Sequence, residues 1–193
     1  MRILVVASCT KSKRKYPTWA SQLYTGRLIK LTNQTVKATL DRGIRVDYFI
    51  LSAKHAFVPS GEVLRPYNET FEGLSAAATH AKGDAMRLPQ RARMLINRSV
   101  YDRVFLLLGR NYQRACRLNE IDHPRHITTI YSPSKDLKWP LDPNWDYIPA
   151  GNAQAKEFGG GATGVKAVLL GRDLAQLPSR RRGFPLEQGK VHW

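Results

Sequence analysis

Cysteine is scarce in this chain: two in 193 residues, Cys9 and Cys116. Two thiols make neither a disulfide framework nor, by themselves, a zinc site, and the histidines add no metal-ligand spacing. Acidic residues are also short, 15 Asp+Glu against 31 Lys+Arg, for a formal net charge of +16. No apolar run approaches the length of a membrane span. The opening Met1–Ala7 run is too short for the apolar region of a secretory signal, and no small-residue cleavage site follows it. The expectation is a soluble, cytoplasmic protein without a membrane partner. A Walker loop is absent, since no G-x-x-x-x-G-K occurs. What is present is an apolar share of 42%, enough for a sizeable core, and a length that suits one α/β domain with or without an arm.

The charge is uneven. Residues 1–60 carry 11 Lys/Arg and 2 Asp/Glu, residues 61–122 carry 10 and 7, and residues 123–193 carry 10 and 6. Two local peaks stand out, Lys11-Ser12-Lys13-Arg14-Lys15 and Arg180-Arg181-Arg182. Such an excess points to a polyanion, nucleic acid first and an anionic membrane surface second. The plainer reading is charge that only maintains solubility. Lys11, Arg14, Lys15, Arg110 and the Arg180, Arg181 and Arg182 run are the candidate DNA contacts. The division expected is an α/β catalytic domain over 1–178 and a basic arm over 179–193.

Four short apolar runs read as strands buried on both faces: Ile3–Ala7, Val46–Leu51, Val104–Leu108 and Ile127–Tyr131. A helical pattern runs from Ser21 to Leu40 and stops at Asp41-Arg42-Gly43, where glycine suits the position after a helix end. A second spans Leu74 to Asn97, broken or restarted at Pro89. A short helix follows Asn111, and a last one spans Val165 to Leu177. Tyr131 to Gly151 reads as loop, with Pro133, Pro140, Pro143 and Pro149 among Trp139, Trp145 and Tyr147. The alternation predicts one α/β domain, a mostly parallel sheet with helices on both faces.

In such sheets ligands sit beyond the carboxyl ends of the strands. Those ends read Ser8-Cys9-Thr10-Lys11-Ser12-Lys13, Ser52-Ala53-Lys54-His55, Gly109-Arg110-Asn111-Tyr112 and Ser132-Pro133-Ser134-Lys135. All four carry small polar and basic residues, which fits one cleft of phosphate and base-edge donors. Cys9 is either a nucleophile beside Lys11 and Lys13 or, preferably, a small residue packed behind an anion-binding turn. His55 is equally a donor at the site or a structural histidine. In Gly61–Thr70, Tyr67 can stack on a base, Asn68 can read its edge and Glu62 can orient water; alternatively this is an ordered surface loop stiffened by Pro66. Asn111 is a helix cap or a cleft residue. Gly159–Gly164 reads as a hinge or close packing, and the Trp139/Trp145/Tyr147 group as base-stacking or as a loop folded on its own domain.

Cys9-Thr10-Lys11-Ser12-Lys13, Leu23-Tyr24-Thr25-Gly26, Leu51-Ser52-Ala53-Lys54-His55, Pro66-Tyr67-Asn68 and the Gly109 segment together resemble an uncharacterised bacterial and phage family. Its members read roughly C-S-K-S-K, L-Y-T-S, L-S-A-K-H-G and P-Y-D. The likeness covers most of residues 1–120 in the same order. The chain departs at Asn68, where the family has Asp, and at Ala56, where it has Gly. If the family Asp does acid–base work, Asn68 does not do it here. The family resembles the uracil-DNA glycosylase-like superfamily, and the cysteine-lysine loop is similar to the core of archaeosine synthase, which acts on a deazapurine in transfer RNA.

That resemblance implies nucleobase chemistry: a phage-defence glycosylase hydrolysing the N-glycosidic bond of a modified base, such as glucosylated hydroxymethylcytosine, in double-stranded DNA. In that scheme His55, Asn111 and Glu62 are catalytic. Cys9, Ser12, Lys13, Tyr24, Ser52, Lys54, Tyr67 and Asn68 bind substrate. No metal, cofactor or obligate protein partner is required. The alternatives are a base-modifying transferase using Lys13 or Lys11, and a basic DNA-binding protein without catalysis.

Overall fold

The computed structural model describes residues 1–98, 100–121, 127–131, 145–149 and 162–178. β1 (Arg2–Ser8) is the centre of the sheet, and its residues after Arg2 are all buried. Ile3, Val5 and Ala7 enter one core, while Leu4 and Val6 enter a second core on the other face. This two-residue alternation of an all-apolar strand is the mark of a sheet covered on both sides.

β3 (Arg45–Ser52) and β6 (Arg103–Leu107) pair with β1 in parallel, one on each side. β7 (Ile127–Tyr131) and β8 (Trp145–Pro149) continue beyond β6, also parallel. β4 (Ala56–Pro59) closes the other edge antiparallel to β3. The order is β4-β3-β1-β6-β7-β8, and β2 (Thr18–Trp19) with β5 (Val63–Leu64) makes a separate two-stranded ribbon. A mostly parallel sheet in a single α/β domain is what the alternation predicted. Two strands correct the expectation. β4 is a four-residue hairpin return, and β8 lies inside the Tyr131–Gly151 stretch read as loop. β8 is an edge strand ending at Pro149, a place where proline is tolerated, so the prolines there did not exclude pairing.

The predicted Ser21–Leu40 helix is two helices, α1 (Ala20–Leu23) and α2 (Arg27–Asp41), parted at Tyr24–Gly26. Gly43 follows α2 at φ 77°, and its amide bonds Leu40 O at 2.8 Å, as its glycine predicted. The Leu74–Asn97 stretch is α3 (Ala76–Ala85) and α4 (Leu88–Ile96), with Pro89 in the first turn of α4. α5 (Arg110–Ala115) follows β6, and α6 (Ala162–Ala175) begins three residues earlier than predicted. α2 and α6 cover one face of the sheet through Leu28, Ile29, Val36, Val165 and Leu170. α4 and α5 cover the other through Leu88, Ala92, Leu95, Ile96 and Ala115. The Arg42 guanidinium, just past α2, donates to Leu174 O at 2.7 Å and to Leu177 O, so one side chain caps the end of α6.

The chain leaves β1 in one direction to reach β3, then returns across β1 to reach β6 and β7. The order therefore reverses between β1 and β6. Loops leaving those two strands diverge to opposite faces, and a crevice opens between them at their carboxyl ends.

Candidate functional site

The loop after β1 is tied down at both ends. Cys9 N donates to Leu51 O at 2.9 Å, keeping the loop beside the end of β3. Thr25 N donates to Ser12 O at 3.0 Å, Arg14 N donates to Leu23 O at 2.8 Å, and Lys13 bridges Tyr24. Thr10 Oγ1 accepts from Gly26 N at 3.2 Å and donates to Ser12 O at 3.2 Å. A Cβ at position 26 would stand 2.5 Å from Thr10 Cγ2, so this close approach requires glycine. The Cys9–Lys13 and Leu23–Gly26 motifs are thus one zipped structure, and that zipping interrupts the helical pattern at Tyr24.

Beneath it lies a hydroxyl network. Ser52, at the end of β3, is fully buried. Its Oγ accepts from Lys54 N at 3.0 Å and His55 N at 2.9 Å, which uses both lone pairs. Its own proton therefore goes to Tyr67 Oη, 2.6 Å away, and Tyr67 Oη lies 2.6 Å from Tyr24 Oη. Burial pushes the Tyr24 hydroxyl up to about 12 and the Tyr67 hydroxyl higher still, so both are neutral donors at ordinary pH. Lys13 Nζ sits 4.5 Å over the Tyr67 ring and 5.7 Å from the Tyr24 ring centre. Desolvation lowers the Lys13 amine from its usual range, with Cys9 opposing. The His55 ring stands edge-on to Tyr67, with centroids 5.1 Å apart.

The crevice itself is a cavity of about 570 Å³. Cys9, Thr10 and Lys11 line it from the end of β1, and Gly109 to Tyr112 line it from the end of β6. Its third wall is Glu69, Thr70 and Glu72. Cys9 Sγ and Tyr112 Oη are 3.0 Å apart and join the first two walls. Asn111 Nδ2 donates to Phe71 O at 2.7 Å and joins the second to the third. Burial, with Cys9 nearby, holds the Tyr112 hydroxyl far above its usual range. Glu69 pairs with Lys82 at 3.3 Å and with Lys54 at 3.7 Å.

The structure distributes the predicted residues over three places. Cys9, Lys11, Arg110 and Asn111 line this cavity. Tyr24, Ser52, Tyr67 and Lys13 form the network behind it. Lys54 and His55 line a second pocket of about 310 Å³ with Arg87 and Arg91. Glu62 is exposed in the turn before β5, where its backbone joins Pro59 and Ala20. It lines neither the crevice nor the pocket beside Lys54 and His55. Asn68, Ser12 and Lys15 are exposed, and Arg14 donates from Nε to Gln22 O at 3.0 Å while covering the Tyr16 ring. Asn111 is not the cap of α5; that position is Gly109. Arg180, Arg181 and Arg182, Gly159 to Gly161 and Trp139 lie outside the described residues.

Three participants were not singled out by sequence. Glu69 and Glu72 flank Phe71, whose carbonyl anchors Asn111, and Tyr112 stands in the sequence only as part of a strand end. Their signal was position: polar residues in a loop that crosses two strand ends. Lys166 of α6 was hidden in an apolar helix. It is buried, donates to Leu108 O at 3.0 Å just beneath Gly109, and desolvation lowers its amine to about 8.

Among the described residues no group of three or more His, Cys, Asp or Glu could hold a metal ion, and no helix is long and apolar enough to cross a membrane. The fold and the site define an open α/β domain with a cation- and carboxylate-lined crevice at the switch point of its sheet. The chain belongs to a family of unknown function (DUF6884), whose model matches residues 3–139. That span includes every residue lining the crevice. No curated protein and no solved structure matches the chain.

Proposed function

We propose that this protein is a DNA glycosylase that hydrolyses the N-glycosidic bond of a modified base. The observation that carries the reading is the mixed lining of one cavity: carboxylates Glu69 and Glu72 opposite cations Lys11 and Arg110. Glycosidic hydrolysis needs both signs. Water adds its oxygen to C1′ as the C1′–N bond breaks, and the base leaves with the electron pair. The sugar passes through an oxocarbenium-like state that a carboxylate stabilises, while the departing base is anionic and needs donors. Glu72 receives the water proton in this scheme. Lys11, Arg110 and the neutral Tyr112 hydroxyl donate toward the base, and Asn111 presents its amide oxygen to the water.

The cavity volume lies within the usual range for small-ligand sites and admits a flipped nucleotide with room for a substituted base. Its place at the switch point is where open α/β sheets hold their ligands, and the choice of base chemistry comes from the uracil-DNA glycosylase-like likeness drawn from the motifs. Anti-phage defence follows from that likeness, since modified bases mark viral DNA. The test is incubation with plain, hydroxymethylated and glucosylated DNA, followed by alkaline cleavage at abasic sites. Wild type is expected to cleave one modified DNA, and Glu72→Gln to lose about 10²–10⁴-fold in rate. No abasic sites on any of the three DNAs would refute the reading.

A transferase reading is favoured by one observation, the lowered Lys13 amine held over two tyrosine rings. Mass spectrometry decides between them: a base that gains mass supports transfer, and a missing base supports hydrolysis.

A further inference from the structure

The second pocket is walled by basic residues from two separate elements. Lys54 and His55 come from the turn between β3 and β4, and Arg87 and Arg91 come from the start of α4. Its remaining lining residues are Ala56, Ala85 and Met86, so no carboxylate faces it among the described residues. Two arginines elsewhere are paired with carboxylates: Arg2 meets Asp47 at 2.7 Å, and Arg117 meets Asp84 at 2.7 Å. Arg87 and Arg91 have no such carboxylate among the described residues. Like charges gathered in a concavity repel one another unless an anion lies between them.

The pocket also adjoins the crevice. Lys54 lines the pocket, and its partner Glu69, 3.7 Å away, lines the crevice. His55 lines the pocket while its ring packs on Tyr67 of the hydroxyl network. The two cavities therefore stand on either side of one ion pair. The geometry points to this pocket as a phosphodiester site, holding a phosphate of a nucleic-acid strand whose neighbouring nucleotide lies in the crevice. Two guanidinium forks supply paired N–H donors that match phosphate oxygens, and His55 and Lys54 complete the set. This reassigns His55 and Lys54 from the base to the backbone. The proposal rests on the nucleic-acid part of the reading above and not on its bond chemistry.

The test is fluorescence anisotropy with a labelled single-stranded DNA 12-mer over a salt series. Arg87 holds φ 54°, a conformation glycine adopts without strain, so Arg87→Gly removes the charge without harming the fold. Arg91→Gln keeps a good helix former. With an unchanged urea midpoint as control, the double variant is expected to weaken binding on the order of tenfold and to flatten the log–log salt slope by about 1.4, two single-strand contacts. An unchanged slope in the folded double variant would overturn the site. An otherwise identical methylphosphonate strand, lacking backbone charge, should bind wild type and variant alike. Inorganic phosphate that displaces the strand at its own concentration would instead give the pocket to a free anion and overturn the strand assignment. If wild type binds no strand, the nucleic-acid reading itself fails, and the two failures are told apart.

Discussion

Replacing Ser52 by alanine removes one oxygen that serves three partners. Ser52 is fully buried, accepts from the amides of Lys54 and His55, and lies 2.6 Å from Tyr67 Oη. Each net hydrogen bond is worth about 1 kcal/mol, and an orphaned buried partner costs about 1–3 kcal/mol. Lys54 and His55 are exposed, so water can rescue their amides in part, and Tyr67 keeps its contact with Tyr24. The expected loss is about 2–3 kcal/mol. At a urea dependence of about 2 kcal/mol per molar, the midpoint falls by about 1 M with an unchanged slope. Tyr67→Phe breaks the same chain from the other side, so the pair should couple by at least about 0.5 kcal/mol in a double-mutant cycle. Circular dichroism of the four proteins in urea measures this. A midpoint shift below about 0.3 M, or strict additivity, would refute the claim that this network holds the turn carrying Lys54 and His55.

Two further perturbations test packing and burial. Gly83→Ala places a Cβ 2.3 Å from the Ala115 carbonyl oxygen, a backbone atom that cannot swing aside, so α3 must part from α5. A loss of about 1–3 kcal/mol is expected, against a helix-propensity gain of about 1 kcal/mol, and thermal melting at matched concentration checks it. Lys166 has its amine lowered to about 8 from the ordinary 10.5. Below about 8 the folded chain carries a buried charge; between about 8 and 10.5 the unfolded chain binds more protons, so stability rises with pH by about 3 kcal/mol in that window. Lys166→Met should abolish the rise without lowering stability at pH 7, because Leu108 O keeps its bond from Gln113 Nε2 at 2.9 Å; urea midpoints from pH 7 to 10.5 report it, and a variant that keeps the rise would remove Lys166 as its cause.

Buried parallel strands were legible because an unbroken apolar run has few other uses. β8 was not, because its residues alternate aromatic, acidic and apolar types and it closes on Pro149. The hairpin return β4 escaped for a different reason: its turn relies on Ala56 at φ 60°, where a glycine would have announced it. The crevice was legible in two of its walls, since residues following β1 and β6 are placed by the strands themselves. The third wall was not. Glu69 and Glu72 belong to a loop with no periodic pattern, and only its fastening through Phe71 O to Asn111 brings them across the strand ends.

That third wall also changes what the net charge of +16 means. A uniformly basic protein binds a polyanion without discriminating among its parts. Here the cations around the two cavities are unequally employed. Lys13 is held over two tyrosine rings, Lys82 pairs with Glu69, and Lys54 stands between Glu69 and the second pocket. Lys11 and Arg110 line the crevice wall, and Arg87 and Arg91 line the neighbouring pocket. A strand drawn in by long-range charge would meet a phosphate-like setting on one side of the Lys54–Glu69 pair and a mixed-sign setting on the other. Only the mixed side carries groups that can stabilise separated charges on a sugar and its base. Removing cations from the pocket should therefore change how tightly DNA is held. Removing Glu72 should change what happens to it.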